Sequence, residues 1–283
     1  MECTLKNESC DRRTFRRRIL KTSLPLICQL VLTNCITFID QLMIGHLGLE
    51  AIAAVTACTK IFLIYQLFCY GISSSGAIFM TQYYGKDDYS GIRKILGIML
   101  RIGLAVAVTV SAVIILYPRA LLSLFTKDEA VMELAVQYMK WAAPIPVFAS
   151  IASCFGFVMR SMNKVMVVTA STIVSVIVAV AANYVLIFGH FGCPALGIVG
   201  AAIGTVLTRL FEGGVIIIYL IVSKNPVLKN IGELMHSDKE MFARYVKGVY
   251  RSCFHGNMFS VRRLLIGIID RFQYIFYAYF HYL

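Results

Sequence analysis

Asp40 is the residue of this chain best placed to do chemistry. It sits in F-I-D-Q-L-M-I-G-H-L-G (38–48), near the end of an apolar run that starts around Ser23. At about 1.5 Å of rise per residue, a helix puts Asp40 roughly 25 Å along that run. A bilayer's hydrocarbon core is about 30 Å thick, so the carboxyl lies inside it, in the outer third. An ionisable group at that depth is expensive to keep and marks a functional site by default. An acid removed from water holds its proton more readily. When ionised, it can hold Na⁺ or attract an organic cation instead.

Two more charged residues lie within apolar sequence. Arg209 and Glu212 are three apart, the spacing at which helical side chains meet, and they read as an internal ion pair. Arg101 reads as a snorkelling or paired side chain. H-E-x-x-H, G-x-x-x-x-G-K-[ST] and G-x-S-x-G are all missing from the sequence, so the chain is not read as an enzyme.

Several long helices are needed to position such an acid. Of the 283 residues, 59% are hydrophobic and only 15% are charged. Soluble domains carry about 25% charged residues. The apolar residues come in blocks of about 20 or more, which predicts six spans: 22–44, 54–83, 92–117, 130–162, 165–189 and 197–222. Pro25 fits a first helical turn. Pro144 and Pro146 fall inside the fourth span and predict a kink there. The nine cysteines are scattered and form no C-x-x-C, so they read as small hydrophobes.

A net charge of +12 raises nucleic acid as a partner, but the basic residues collect in the gaps between apolar blocks. Lys and Arg mark the N-terminal arm, the second and fourth gaps and the stretch after the sixth span. The first and fifth gaps hold none. That pattern predicts a multi-pass protein with a cytoplasmic N-terminus and a bilayer, not nucleic acid, as its surroundings. The predicted organisation is a basic arm (1–21), a six-helix lobe (22–223), a cytoplasmic linker (224–244) and an irregular seventh segment (245–283).

The motifs S-L-P-L-I (23–27), F-I-D-x-x-x-x-G-H-L-G (38–48), T-Q-Y-Y-G-K-D-D (81–88), R-S (160–161) and the run from Asn183 to Thr205 occur in order. In that order and spacing the chain resembles the multidrug and toxic compound extrusion (MATE) transporters over about 20–224. The resemblance implies an all-α membrane fold of which this chain supplies the amino-terminal lobe. It implies export of cationic amphipathic compounds in exchange for H⁺ or Na⁺, in the cytoplasmic membrane, with no other cofactor. It assigns Asp40, Asn183 and Thr205 to cation coupling or substrate binding, with Asp40 and Asn183 as Na⁺ ligands. Ala179 stands where the family carries an Asn, which favours H⁺ over Na⁺.

The family's second lobe and seventh-helix pattern are missing after Val246, and a frame change with an early stop would account for both. Pairing of two copies would rebuild the cleft. The alternatives are a truncated, non-transporting remnant and a relative that flips lipid-linked sugars. The latter predicts a more basic cleft than Asp40 suggests.

Overall fold

The structure, a computed structural model, describes residues 12–189, 194–229, 232 and 239–251. Within them the chain is helical and has no strand. The long helices are α1 (Arg12–Gly45), α2 (Leu49–Tyr84), α3 (Tyr89–Leu116), α7 (Val165–Phe188) and α8 (Ile198–Val222). Between them lie a short α4 (Pro118–Leu122) and the pair α5 (Glu129–Ala142) and α6 (Ile145–Ser161). A 3₁₀ turn (Pro226–Leu228) and α9 (Lys239–Arg251) follow α8. Among the described residues, five helices are long and apolar enough to cross a membrane, six if α5 and α6 count as one bent span.

Helix ends follow local chemistry. Asp88 caps α3 by accepting from the Gly91 N–H at 2.9 Å, and Asp128 caps α5 by accepting from Ala130 N–H at 3.0 Å. Pro118 does not merely stop the third span; it opens α4, where its missing N–H is harmless. The kink expected at Pro144 and Pro146 is a 49° bend between α5 and α6. The Tyr65 hydroxyl pins it by donating to the Pro146 carbonyl at 2.6 Å.

Two apolar cores hold the bundle. One, around Ala54, Cys58, Met139, Ile187 and Ala202, joins α2, α5, α7 and α8 at the end where α1 meets α2. The other, around Met80, Leu96, Met99, Met159 and Leu220, joins α2, α3, α6 and α8 at the end where α2 turns into α3. Helix α7 packs along α8 on one side and α1 on the other. By contrast, α1 buries little of itself, and Leu24, Ile27, Leu30, Val31, Phe38 and Leu42 face outward.

Two boundaries differ from the sequence expectation. Residues 12–21 of the supposed arm are already helical, because Arg and Lys are good helix formers and their charge does not end a helix. Residues 1–11 of that arm lie outside the described residues. The 244/245 boundary falls inside α9, whose stripe of Met241, Tyr245 and Val249 packs on the second core. Tyr245 and Val227 are fully buried, so this stretch is docked along its described length. The expected seventh segment beyond Arg251 lies outside the described residues.

Candidate functional site

Four helices converge on Asp40. α1 carries the acid close to its end, and α7 brings Asn183 beside it. The Asn183 Nδ2 donates to Asp40 Oδ1 at 2.6 Å. Asn183 is 2% exposed. Its Oδ1 is buried and has no hydrogen-bond partner. A buried amide oxygen left unpaired costs free energy, so this atom is a standing acceptor for a proton donor or a cation.

A glycine on α8 makes this approach feasible. A Cβ on Gly204 would lie 2.0 Å from Asn183 Oδ1. One turn earlier, a Cβ on Gly200 would lie 2.4 Å from the Leu186 carbonyl oxygen. Both positions must stay bare for α7 and α8 to cross this closely, the usual device of membrane helix pairs.

Thr205 follows Gly204. Its hydroxyl donates to the Ala201 carbonyl at 2.9 Å, leaving the oxygen's lone pairs free to accept. Tyr138, on α5, is 5% exposed and meets Thr205 across the helix interface. One turn further along α8 comes Arg209. Arg209 Nη1 donates to Glu212 Oε2 at 2.9 Å, the ion pair that the i,i+3 spacing predicts. Ala179, one turn before Asn183, is buried and offers no oxygen.

The structure therefore brings Asp40 and Asn183 into direct contact. Thr205 follows Gly204, the position that abuts Asn183, and its own hydroxyl bonds to the Ala201 carbonyl. A carboxylate and an amide oxygen are hard oxygen donors. Among the described residues no group of three His, Cys, Asp or Glu side chains gathers to hold a transition metal.

A second polar layer lies toward the other end of the same helices, and sequence reading missed it. Gln29 Nε2 donates to Thr172 Oγ1 at 3.1 Å, and Arg160 Nη2 donates to Gln29 Oε1 at 3.3 Å. The Arg160 guanidinium also lies 5.1 Å from the Phe157 ring centre. Gln29 and Asp40 are eleven apart, as are Thr172 and Asn183. Eleven residues are about three helical turns, so each pair falls on one face. That shared spacing of polar residues in apolar helices was the available signal. Arg101, left unassigned from sequence, donates to the Gly97 carbonyl at 3.1 Å.

The MatE family model matches residues 25–185. The probable multidrug resistance protein YoeA of Bacillus subtilis (strain 168) is 26% identical over 250 residues, 87% of this chain and 53% of its own length. The probable multidrug resistance protein NorM of Rhizobium meliloti (strain 1021) is 28% identical over 210 residues, 73% of this chain and 44% of its own. This chain thus spans about half the length of the curated relatives it matches. Among solved structures, an outward-facing multidrug resistance MATE family transporter of the MOP superfamily superposes with a TM-score of 0.74 at 18% identity. That match covers 87% of this chain and 54% of the other. A MOP superfamily transporter from Pyrococcus furiosus gives 0.73 at 16% identity, with the same coverage.

Proposed function

The chain belongs to the MatE family, and from that premise we propose that its bundle is one lobe of a cation-coupled exporter of amphipathic organic cations. The observation that carries the reading is the Asp40–Asn183 contact, held inside a multi-pass apolar bundle at 2.6 Å. An acid in that setting has few reasons to persist other than binding a cation. Bound H⁺ or Na⁺ neutralises the carboxylate, and a neutral acid no longer attracts an organic cation. Mutual exclusion at one group is the chemical basis of exchange. Binding at a junction of helices suits rocking of one lobe against another.

We place the N-terminus, the α2–α3 turn and the α6–α7 turn on the cytoplasmic side, following the distribution of Lys and Arg. In this reading the little-buried face of α1 looks toward a second lobe or a second copy of the chain. The transport cargo, the coupling ion and the pairing are parts of this proposal. The test is accumulation of a cationic dye in cells making this chain, its Asp40→Asn variant, or neither. Transport predicts low accumulation with the wild-type chain and vector-level accumulation with the variant. Three equal values would reject transport by this chain and favour a non-transporting remnant.

A further inference from the structure

A cavity of about 180 Å³ opens at the end of the bundle where α2 turns into α3. It has no part in the site around Asp40. Lys86, in the α2–α3 turn, and Arg244, on α9, line it together with Gln82 and Tyr83. Phe79 and Ile95 supply apolar lining beneath them. The wall formed by α9 is fixed. Tyr245 is fully buried, its hydroxyl donates to the Ile72 carbonyl at 2.7 Å, and its ring lies against Phe79 at 6.4 Å between centres. The outward positions of α9 include Arg244 and Lys247, both exposed.

Two cations from different elements, two polar side chains and an apolar base are the complement of a phosphate attached to acyl chains. The position agrees, because the candidate span α2 ends at Tyr84 and Lys86 follows in the turn that leads to the next span, α3. Basic pockets between helices at this level bind acidic headgroups. None of the acids nearby lines the cavity. Asp88 is committed to the Gly91 N–H at the start of α3, and Asp87 belongs to the same exposed turn. Glu240 pairs with Arg244 at 3.4 Å, with both side chains largely in solvent, a loose contact that a phosphate can displace. We infer that Lys86 and Arg244 clasp the headgroup phosphate of an anionic phospholipid between α9 and the α2–α3 turn.

The test is native mass spectrometry of the full chain titrated with phosphatidylglycerol, phosphatidylcholine or inorganic phosphate. Phosphatidylglycerol should be retained in preference to phosphatidylcholine. Lys86→Gln with Arg244→Gln should weaken it roughly 30-fold, at about 1 kcal/mol per cation near a surface. Arg119→Gln with Lys127→Gln, which removes two cations from the other end of the bundle, should leave binding unchanged. Glu240→Gln, which frees Arg244 from its competitor, should tighten it. An equal loss in both double variants would mean general attraction and overturn the site. So would equal retention of phosphatidylcholine. Displacement of phosphatidylglycerol by inorganic phosphate at similar concentration would also overturn it, in favour of a soluble anion. None of these readouts involves transport, so they stand apart from the dye test.

Discussion

Replacing Gly204 by alanine tests the geometry around Asp40 most directly. The new methyl group would sit 2.0 Å from Asn183 Oδ1 and 3.1 Å from its Cγ. To restore even a tight contact of about 3 Å, the amide must retreat by about 1 Å. It has nowhere easy to go, being 2% exposed and tied to Asp40 at 2.6 Å. Losing a hydrogen bond to a carboxylate costs about 1.5–3 kcal/mol, and overpacking adds about 1–3. Alanine's better helix propensity returns at most about 1 kcal/mol. The net loss is about 1.5–6 kcal/mol. Gly214 on the same helix is the control, since a Cβ there meets nothing within 4 Å. Gly214→Ala should therefore gain up to about 1 kcal/mol. The assay is unfolding of the purified chain in detergent. Gly204→Ala should lower the midpoint and Gly214→Ala should hold or raise it. Asn183→Ala should destabilise by itself, and combining it with Gly204→Ala should cost less than the sum of the two. Equal stability of the two alanine variants, or strict additivity with Asn183→Ala, would refute the proposed crowding.

Arg209→Met should cost about 1–2 kcal/mol, because it leaves Glu212, 23% exposed, without its 2.9 Å partner. Adding Glu212→Leu should recover most of that loss, as read by the same unfolding midpoint. Tyr245→Phe removes one buried hydroxyl and strands the Ile72 carbonyl's extra acceptor capacity, costing about 1–2 kcal/mol. It should lower the unfolding midpoint, and hydrogen exchange of α9 should rise more than that of α2. Gln29→Ala should leave one Arg160 donor without its acceptor, while the Thr172 hydroxyl keeps its bond to the Val168 carbonyl, at about 1–2 kcal/mol read in the unfolding midpoint.

Much of this architecture was legible in the residues. Runs of apolar residues located the spans, most closely the third, fifth and sixth, because a bilayer demands length and hydrophobicity and little else; the start of α1 lay ten residues earlier in basic sequence. The bend at Pro144 was legible because proline removes a backbone donor wherever it stands. Asp40 announced itself by depth, while Asn183 and Thr205 emerged only through the family resemblance. Asn183 next to Asp40 is a contact between residues 143 apart, and no local pattern encodes which helices become neighbours. The same holds for Gln29 with Thr172 and Arg160. Tyr245 stood only at an expected boundary, yet it is fully buried and bonded to the Ile72 carbonyl of α2, a contact between residues 173 apart.

The bonds Gln29–Thr172 and Asp40–Asn183 share one sequence separation, 143 residues. Helices α1 and α7 therefore run parallel and in step, bolted at two heights about 16 Å apart. Sliding either helix along its length would shear both bolts together. Pivoting about one bolt leaves the other to open alone. A helix with so little apolar contact elsewhere thus resists translation and yields to tilt, and whichever bolt is undone decides which half swings.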